Sequence, residues 1–320
     1  MSKFVNGLAT ALFLCIPASQ VQAAPAQNFL FLGSGELSQS NEMLSRADIA
    51  GAQVVYNWRQ LETSKGQYDF SQIEADLQLA EEAGKKLFIQ LQDRFFLPTS
   101  RNVPRYILEE PEYRGGLVRQ ADNPGEGMAD MSGWVAMQWH PPVRSRWQAL
   151  LTALAERFDG RVFGVNLPES AIEVTKPEGF TCDRYFDATS ENILFARKAF
   201  GRSHVVQYVN FWPCEWGNNR KYMSRFFELA AKNRIGLGGP DIVPFRKGQM
   251  KNAYPFFNRY KGQLPIVAMA VQQPTLTYTN PQTKNRFTRR EIVQFAEEYL
   301  GVDVIFWTTE APWLKAPAAR

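Results

Sequence analysis

The chain has 320 residues, of which 45% are hydrophobic, and its formal net charge is +4. This apolar fraction is enough for one large core and excludes an intrinsically disordered chain. The charge lies too close to zero for the basic excess of a nucleic-acid-binding protein, so we expect no nucleic-acid partner.

Residues 1–23 have the pattern of a secretory signal peptide. Lys3 precedes an apolar run around Leu8–Ile16, and the small residues Val21 and Ala23 indicate cleavage after Ala23. The run is too short for a permanent membrane helix, and no later segment approaches the ~20 apolar residues that a membrane span requires. The sequence therefore predicts an exported protein, periplasmic or secreted, that folds from residues 24–320 without a membrane span.

The cysteines and histidines predict a cross-link and no metal centre. Cys15 leaves with the signal, so an even pair remains, Cys182 and Cys214, and an exported protein can join such a pair in a disulfide. The two histidines, His140 and His204, form no cluster with zinc-ligand spacing. We expect no metal and no cofactor.

From residue 28 onward, eight short apolar runs alternate with amphipathic segments. The runs are Phe29–Gly33, Gln53–Asn57, Lys86–Gln92, Val162–Leu167, Val205–Phe211, Ile235–Gly239, Ile266–Gln272 and Val302–Thr308. Such runs are typical of parallel strands buried on both faces. Helices are predicted in "FSQIEADLQLAEEAGK", "PVRSRWQALLTALAERFDG", "YMSRFFELAAKNR" and "RREIVQFAEEYLG".

Eight strands with crossover helices predict one domain, a single (β/α)8 TIM barrel over residues 24–320. The alternative is a doubly wound open sheet, but "GSGEL" after the first strand lacks the third glycine of a dinucleotide site. The barrel has a long loop after strand three, from Asp93 to Pro142. Only "EAPWLKAPAAR" follows strand eight, so the last helix is short or missing.

Side chains that follow the strands of a TIM barrel line one pocket at its carboxyl-terminal face. Here they are amides, carboxylates and aromatic rings, which suit the hydroxyl groups and C–H faces of a carbohydrate. The substrate-binding candidates are Asn57, Asp93, Asn166, Tyr208, Asn210, Trp212, Gln273 and Trp307, together with Trp134 and His140 from the long loop. Packing of the long loop on itself is the alternative role for Trp134 and His140.

Three acidic residues are candidates for catalysis, because hydrolysis of a glycosidic bond needs two carboxyl groups. Glu169, just beyond strand four, is the candidate general acid, and Asp241 or Glu310 would be its partner. The alternative for Glu169 is to cap the following turn or helix, and Asp241 lies in "GGPD", an ordinary turn composition.

Two stretches resemble glycoside hydrolases of clan A, the group of beta-galactosidase-like and xylanase-like barrels. Residues 58–91 match its second-strand pattern W-x-x-[IL]-E-x-x-x-G-x-Y-[DN]-F. The matching residues are Trp58, Leu61, Glu62, Gly66, Tyr68, Asp69 and Phe70. Residues 146–170, "RWQALLTALAERFDGRVFGVNLPES", are similar to its helix-three and strand-four region, where an Asn-Glu pair supplies the acid/base.

The resemblance implies a sugar-cleaving barrel with Glu169 as acid/base and Trp307 at the strand-eight position where the clan often has tryptophan. The chain departs from the pattern twice. Asn166 and Glu169 are not adjacent, and strand seven ends in "QQ", residues 272–273, where the clan has its nucleophilic glutamate. The alternative is therefore a carbohydrate-binding barrel that has lost hydrolysis.

Overall fold

The computed structural model describes residues 24–121, 132–175 and 177–316. The predicted signal peptide, residues 1–23, lies outside the described residues. Eight parallel strands form a closed barrel. They are β1 (Gln27–Phe31), β2 (Gly51–Asn57), β3 (Lys86–Gln92), β4 (Gly164–Leu167), β5 (His204–Tyr208), β6 (Gly236–Gly239), β7 (Val267–Val271) and β8 (Val304–Thr308).

Each strand pairs with the next strand in chain order, and β8 closes the barrel by pairing with β1. In this last pair Gln27 lies opposite Val304 and Phe31 opposite Thr308. The eight predicted runs coincide with the eight strands to within three residues at each end. The predicted TIM barrel is therefore confirmed.

Alternation of side chains along each strand separates a barrel interior from an outer core. The interior is filled by Phe29, Phe88, Val206, Tyr208, Ile266, Ala268, Ala270, Val304 and Phe306. Glycine makes room for the large rings, because a Cβ atom on Gly51 would lie 2.5 Å from the Phe29 ring and one on Gly164 would lie 2.6 Å from the Phe88 ring. The side chains that point outward pack under the helices.

Within the described ranges, the helix layer contains six principal helices. They are α1 (Ser71–Glu82), α2 (Pro141–Phe158), α3 (Cys182–Ala199), α4 (Tyr222–Lys232), α5 (Tyr254–Arg259) and α6 (Arg289–Gln294), the last continuing as a π-helical turn over Phe295–Leu300. Short α-helical turns are Asn41–Leu44, Trp58–Leu61, Arg105–Glu109 and Lys247–Lys251, and 3-10 turns are Leu37–Ser40, Pro111–Tyr113, Pro274–Thr277 and Pro312–Leu314. Across the three described ranges, none of the helices combines the length and apolar character needed to cross a membrane.

The sequence missed one long helix, α3. Its buried face follows helical spacing and includes Tyr185, Phe186 and Ile193, but polar residues between them mask the pattern. Its start carries a recognisable signal, because the Thr181 hydroxyl accepts a hydrogen bond from the Arg184 backbone N–H at 3.1 Å.

The long segment after β3 is a small substructure over the barrel mouth. It contains a hairpin of strands Leu117–Gln120 and Gly133–Ala136. Trp134 of this hairpin pairs with Phe95, just beyond β3, and Gln120 pairs with Val174, beyond β4. The described part of the long loop is thus fastened to two neighbouring strand ends.

The residues that carry the family resemblance near β2 build a buried hydrogen-bond cluster. Glu62 is fully buried and its carboxylate accepts hydrogen bonds from Trp58 (2.8 Å), the Gly66 N–H (2.8 Å) and Tyr106 (3.0 Å). Arg146 of α2 forms an ion pair with the same carboxylate. This cluster joins β2, α2 and the long loop, so the motif has a structural role.

Glu62→Ala is expected to lower the free energy of unfolding by about 3 kcal/mol, because the half-buried Arg146 guanidinium and the buried Trp58 N–H lose their acceptor. Urea unfolding measures the loss. The matched control is Glu74→Ala, which removes a carboxylate paired with the exposed Arg157 and Arg161. It should cost less than about 1 kcal/mol. Equal losses for both variants would contradict the structural role.

Candidate active site

Glu169 lies two residues beyond β4 on a segment whose backbone is held from three sides. The carbonyl oxygens of residues 168–170 accept hydrogen bonds in turn from the side chains of Gln207, Arg94 and Tyr185, the last two at 3.0 Å. These donors come from β5, from the loop after β3 and from α3. Rigid support of this kind holds a side chain in one geometry, as a catalytic group requires.

Glu169 as a whole residue is half-buried, and burial of its carboxyl group raises the pKa to about 7. The positive charge of Arg94 lowers the pKa, the negative charge of Asp241 raises it, and a hydrogen bond from Asn210 lowers it. The Glu169 Oε2 atom is buried and has no hydrogen-bond partner among the described residues. The raised pKa favours the protonated carboxyl group, the state that a general acid needs.

Arg94 is buried behind Glu169, and Asp93 balances its charge. Arg94 Nε donates to Asp93 Oδ1 at 2.7 Å, and the Gln138 side chain donates to Asp93 Oδ2 at 2.6 Å. Asn192 of α3 donates in turn to Gln138. Asp93 is 0% exposed, and both of its carboxylate oxygens already accept hydrogen bonds, so it supports the site from behind. This placement corrects the expectation that Asp93 contacts a substrate.

Asp241, which follows β6, is anchored through both its backbone and its side chain. Its Oδ1 atom accepts a hydrogen bond from the Thr275 hydroxyl at 3.0 Å, and its carbonyl oxygen accepts one from the Tyr254 hydroxyl at 2.9 Å. Burial raises the pKa of Asp241, although the hydrogen bond from Thr275 opposes the shift. Asp241 is thus a second carboxyl group held at the barrel mouth.

The two acidic residues share one supporting device. Each follows a proline, and a glutamine from the next strand along the barrel donates to the carbonyl oxygen of that proline. Gln207 of β5 binds the carbonyl that precedes Glu169, and Gln272 beyond β7 binds the one that precedes Asp241 at 3.0 Å. Gln272 therefore fixes the loop after β6. It stands at the end of strand seven, the position at which clan A enzymes have their nucleophilic glutamate.

Tyr208 connects the two carboxyl groups electrostatically. β5 places its ring inside the barrel, and its hydroxyl exchanges hydrogen bonds with the Gln53 side chain at 3.2 Å. Burial raises the pKa of Tyr208, and the charges of Asp241 and Glu169 raise it further against the opposing hydrogen bond from Gln53. Acidic groups from three consecutive strands therefore occupy one region.

Unpaired amide oxygens line the neighbouring wall of the mouth. Gln90 and Gln92 lie on the same face of β3 as the interior residue Phe88, and Asn166 is opposite Gln90 on β4. Gln90 Oε1, Gln92 Oε1 and Asn166 Oδ1 are buried and lack hydrogen-bond partners among the described residues. Buried acceptors normally have partners, so these atoms suit the hydroxyl donors of a bound ligand.

Two tryptophans expected at the sugar site point into the helix layer. Trp307 is 1% exposed and packs edge-on against Trp313, with ring centroids 5.4 Å apart. Trp212 is also 1% exposed and contacts aromatic rings of α3 and α4, including Phe186 at 4.9 Å. Because Phe306 points into the barrel, the next residue, Trp307, must point out. The structure corrects both expectations.

The long loop uses Trp134 and His140 for its own packing. Trp134 Nε1 donates to the Pro98 carbonyl at 3.0 Å, and the Arg101 guanidinium lies 3.8 Å from the ring centroid of Trp134. His140 Nε2 is 2.8 Å from the Glu112 carbonyl oxygen. Of the two roles open from the sequence, the structure shows loop packing for both residues.

Three other candidates lie at the rim. Glu310 is exposed and forms an ion pair with Lys315 at 2.8 Å, so Asp241 is the carboxylate that couples to Glu169. Asn57 accepts the Gln60 N–H at 2.9 Å and caps a helical turn. Gln273 is exposed beyond β7. Of the expected binding residues, Asn210 forms a hydrogen bond with Glu169, and the pKa of Tyr208 responds to the charges of both Glu169 and Asp241.

Sequence reasoning missed Gln207 and Gln90 as residues of the site, and it placed Arg94 after strand three without recognising its supporting role. Each is a long polar side chain that is buried in or beside an apolar strand. A buried polar group needs a partner, so its position in such a strand is the signal that was available. The sequence alone does not identify that hydrogen-bond partner, because the fold decides which residues meet.

Cys182 and Cys214 form a disulfide, with their Cα atoms 6.2 Å apart. Cys182 opens α3 and Cys214 lies in the loop after β5, so the cross-link fixes two segments next to the site. Among the described residues, no group of three or more Cys, His, Asp or Glu side chains is arranged to hold a metal ion.

No protein-family model matches the chain, and no curated protein matches its sequence. Solved structures match its fold. The catalytic domain of a beta-amylase from Paenibacillus polymyxa has a TM-score of 0.56 at 9% identity, over 89% of this chain and 93% of that one. A thermostable mutant of a xylanase from Cellvibrio japonicus has a TM-score of 0.51 at 13% identity, over 89% and 86%.

A beta-galactosidase from the psychrophilic Marinomonas ef1 has a TM-score of 0.57 at 10% identity, over 88% of this chain and 53% of that one. This chain thus spans about half the length of that enzyme. The protein has the fold of TIM-barrel glycoside hydrolases. At these identities the likeness concerns the fold alone, so the activity is argued from the site.

Glu169→Gln is expected to stabilise the protein at pH 8 and to have little effect at pH 4. The folded pKa of Glu169, about 7, lies above its ordinary value of 4.5. The folded state therefore holds an extra proton between these values, and the wild type loses stability as pH rises through them. Glutamine mimics the protonated form, so the gain at pH 8 should be on the order of 2 kcal/mol. Urea unfolding at both pH values measures it, and a pH-independent difference would contradict the assignment.

Proposed function

We propose that this protein is a glycoside hydrolase that cleaves glycosidic bonds in an oligo- or polysaccharide, with Glu169 as general acid and Asp241 as the second carboxylate. The observation that carries the proposal is the pair of buried, electrostatically coupled carboxyl groups at the barrel mouth. Glycosidic hydrolysis uses two such groups, one of which is protonated near neutral pH.

In the proposed reaction Glu169 donates its proton to the leaving oxygen of the glycosidic bond. Strand seven supplies Gln272, whose amide cannot form the covalent glycosyl ester of retaining enzymes. Asp241, as a carboxylate, therefore activates a water molecule that attacks the opposite face of the sugar. This single displacement inverts the anomeric configuration.

The substrate would be held by hydrogen bonds from its hydroxyl groups to the unpaired oxygens of Gln90, Gln92 and Asn166. These oxygens lie beside Glu169 on the adjacent strands β3 and β4. A carbohydrate supplies several hydroxyl donors in a small volume, which matches a wall of several unpaired acceptors.

We also propose that the protein is exported to the periplasm or secreted. The support is the signal-peptide pattern of residues 1–23 and the disulfide between Cys182 and Cys214. Disulfides persist in oxidising compartments and are rare in the cytosol.

A carbohydrate-binding protein without hydrolysis is the second candidate function. Gln272 favours it, because it stands where clan A has its nucleophile and is engaged in a backbone hydrogen bond. The two functions share the sugar-binding wall and differ in whether Glu169 and Asp241 turn over a substrate.

Glu169→Gln and Asp241→Asn are each expected to reduce hydrolysis at least ~100-fold, the low end of general acid–base effects, while sugar affinity changes only a few-fold. Release of reducing ends from a panel of plant, bacterial and storage polysaccharides measures hydrolysis. The matched control is Glu310→Gln, which removes an exposed carboxylate of the same face and should leave the rate unchanged.

The anomer released first, observed by proton NMR, tests the role of Asp241. Inversion supports water activation, and retention would show that Asp241 attacks the sugar directly. Binding of an oligosaccharide without release of reducing ends by the wild type would support the non-catalytic alternative.

A further inference from the structure

Exposed aromatic side chains surround the mouth of the barrel. In the described part of the chain, large aromatic residues that are more than a third exposed are Phe95, Trp216, Phe245 and Tyr278. They follow β3, β5, β6 and β7, so they all lie on the loops of the carboxyl-terminal face. Clustered exposed apolar groups commonly mark a binding surface.

A groove of about 350 Å³ opens beside Trp216, within the size range of small-ligand sites. Its walls belong to the segments that follow β4 and β5, the two strands that also carry Glu169 and Asn210. The apolar lining residues are Ile172, Val174, Phe180, Phe211, Pro213 and Trp216. The groove therefore lies on the same face of the barrel as the candidate active site.

The groove is built in advance of any ligand. The disulfide between Cys182 and Cys214 joins its two walls. The Trp216 backbone N–H donates to Asn219 Oδ1 at 3.1 Å, and the Lys251 ammonium lies 4.9 Å from the Trp216 ring centroid. Trp216 is thus held in place while 43% of its surface stays exposed. A fixed, exposed ring is a low-entropy platform for stacking.

We propose that this groove is a distal subsite that binds a sugar ring of the polysaccharide, at a distance from the bond that is cleaved, with Trp216 as the stacking platform. The inference rests on the proposed function and extends it to substrate size. The apolar floor suits the C–H face of a sugar, and the side-chain amide of Asn219 in the lining can donate to its hydroxyls. A substrate that reaches both places is an extended chain, so affinity should increase with chain length.

The test uses the mature chain in a Glu169→Gln background, so that bound sugars are not hydrolysed. The probes are cello-, xylo-, malto-, galacto- and chito-oligosaccharides of two to six residues, measured by isothermal titration calorimetry. In the series that binds, the hexasaccharide should bind more tightly than the disaccharide. Trp216→Ala should weaken binding of the hexasaccharide about tenfold, which corresponds to the loss of one aromatic stacking contact. It should leave the affinity for the disaccharide unchanged.

Two further variants serve as controls. Trp216→Tyr keeps an aromatic platform and should restore most of the gain. Leu194→Ala removes an exposed apolar side chain of α3, outside the groove, and should change no affinity. Thermal unfolding checks that all variants fold, which is expected because Trp216 and Leu194 are both exposed.

The outcomes separate this inference from the proposed function. A gain with chain length that survives Trp216→Ala overturns the subsite but leaves the proposed function intact. Equal affinities for disaccharide and hexasaccharide overturn it in the same way. Failure of every series to bind at any length overturns the proposed function and, with it, the subsite.

Discussion

The buried guanidinium of Arg94 is the group on which the geometry of the site depends. It binds the Glu169 carbonyl oxygen, and its own charge is met by Asp93 at 2.7 Å. An unbalanced buried cation beside Glu169 would hold that carboxyl group in its ionised form. Compensation by Asp93 lets the protein use Arg94 as a rigid support while burial keeps Glu169 partly protonated.

The glutamine at the end of strand seven, Gln272, also supports the backbone next to an acidic residue. Gln272 binds the carbonyl of the proline before Asp241, just as Gln207 binds that of the proline before Glu169. Both acidic residues therefore stand on proline turns that a neighbouring glutamine fixes to the barrel. A glutamate at 272 would lack this amide donor, so glutamine at this position keeps the loop that carries Asp241 fixed to the barrel.

The sequence predicted those features of the structure that depend on local residue patterns. The eight strands and the buried face of α2 follow from apolar patterning. The direction of Trp307 did not follow, because strands buried on both faces show no polar–apolar alternation from which inward and outward residues can be told apart. The support of Glu169 by Arg94, Gln207 and Tyr185 joins residues far apart in the chain, and only the closed barrel brings them together.

The most direct test of this account is the pKa of Glu169 in the ligand-free wild-type protein. A pH titration followed by NMR, with ¹³C-labelled glutamate carboxyl groups and Glu169→Gln to assign the signal, measures it without knowledge of the substrate. The account predicts a midpoint of about 7. A midpoint near the ordinary value of 4.5 would show that Glu169 is ionised at neutral pH and would contradict its role as general acid.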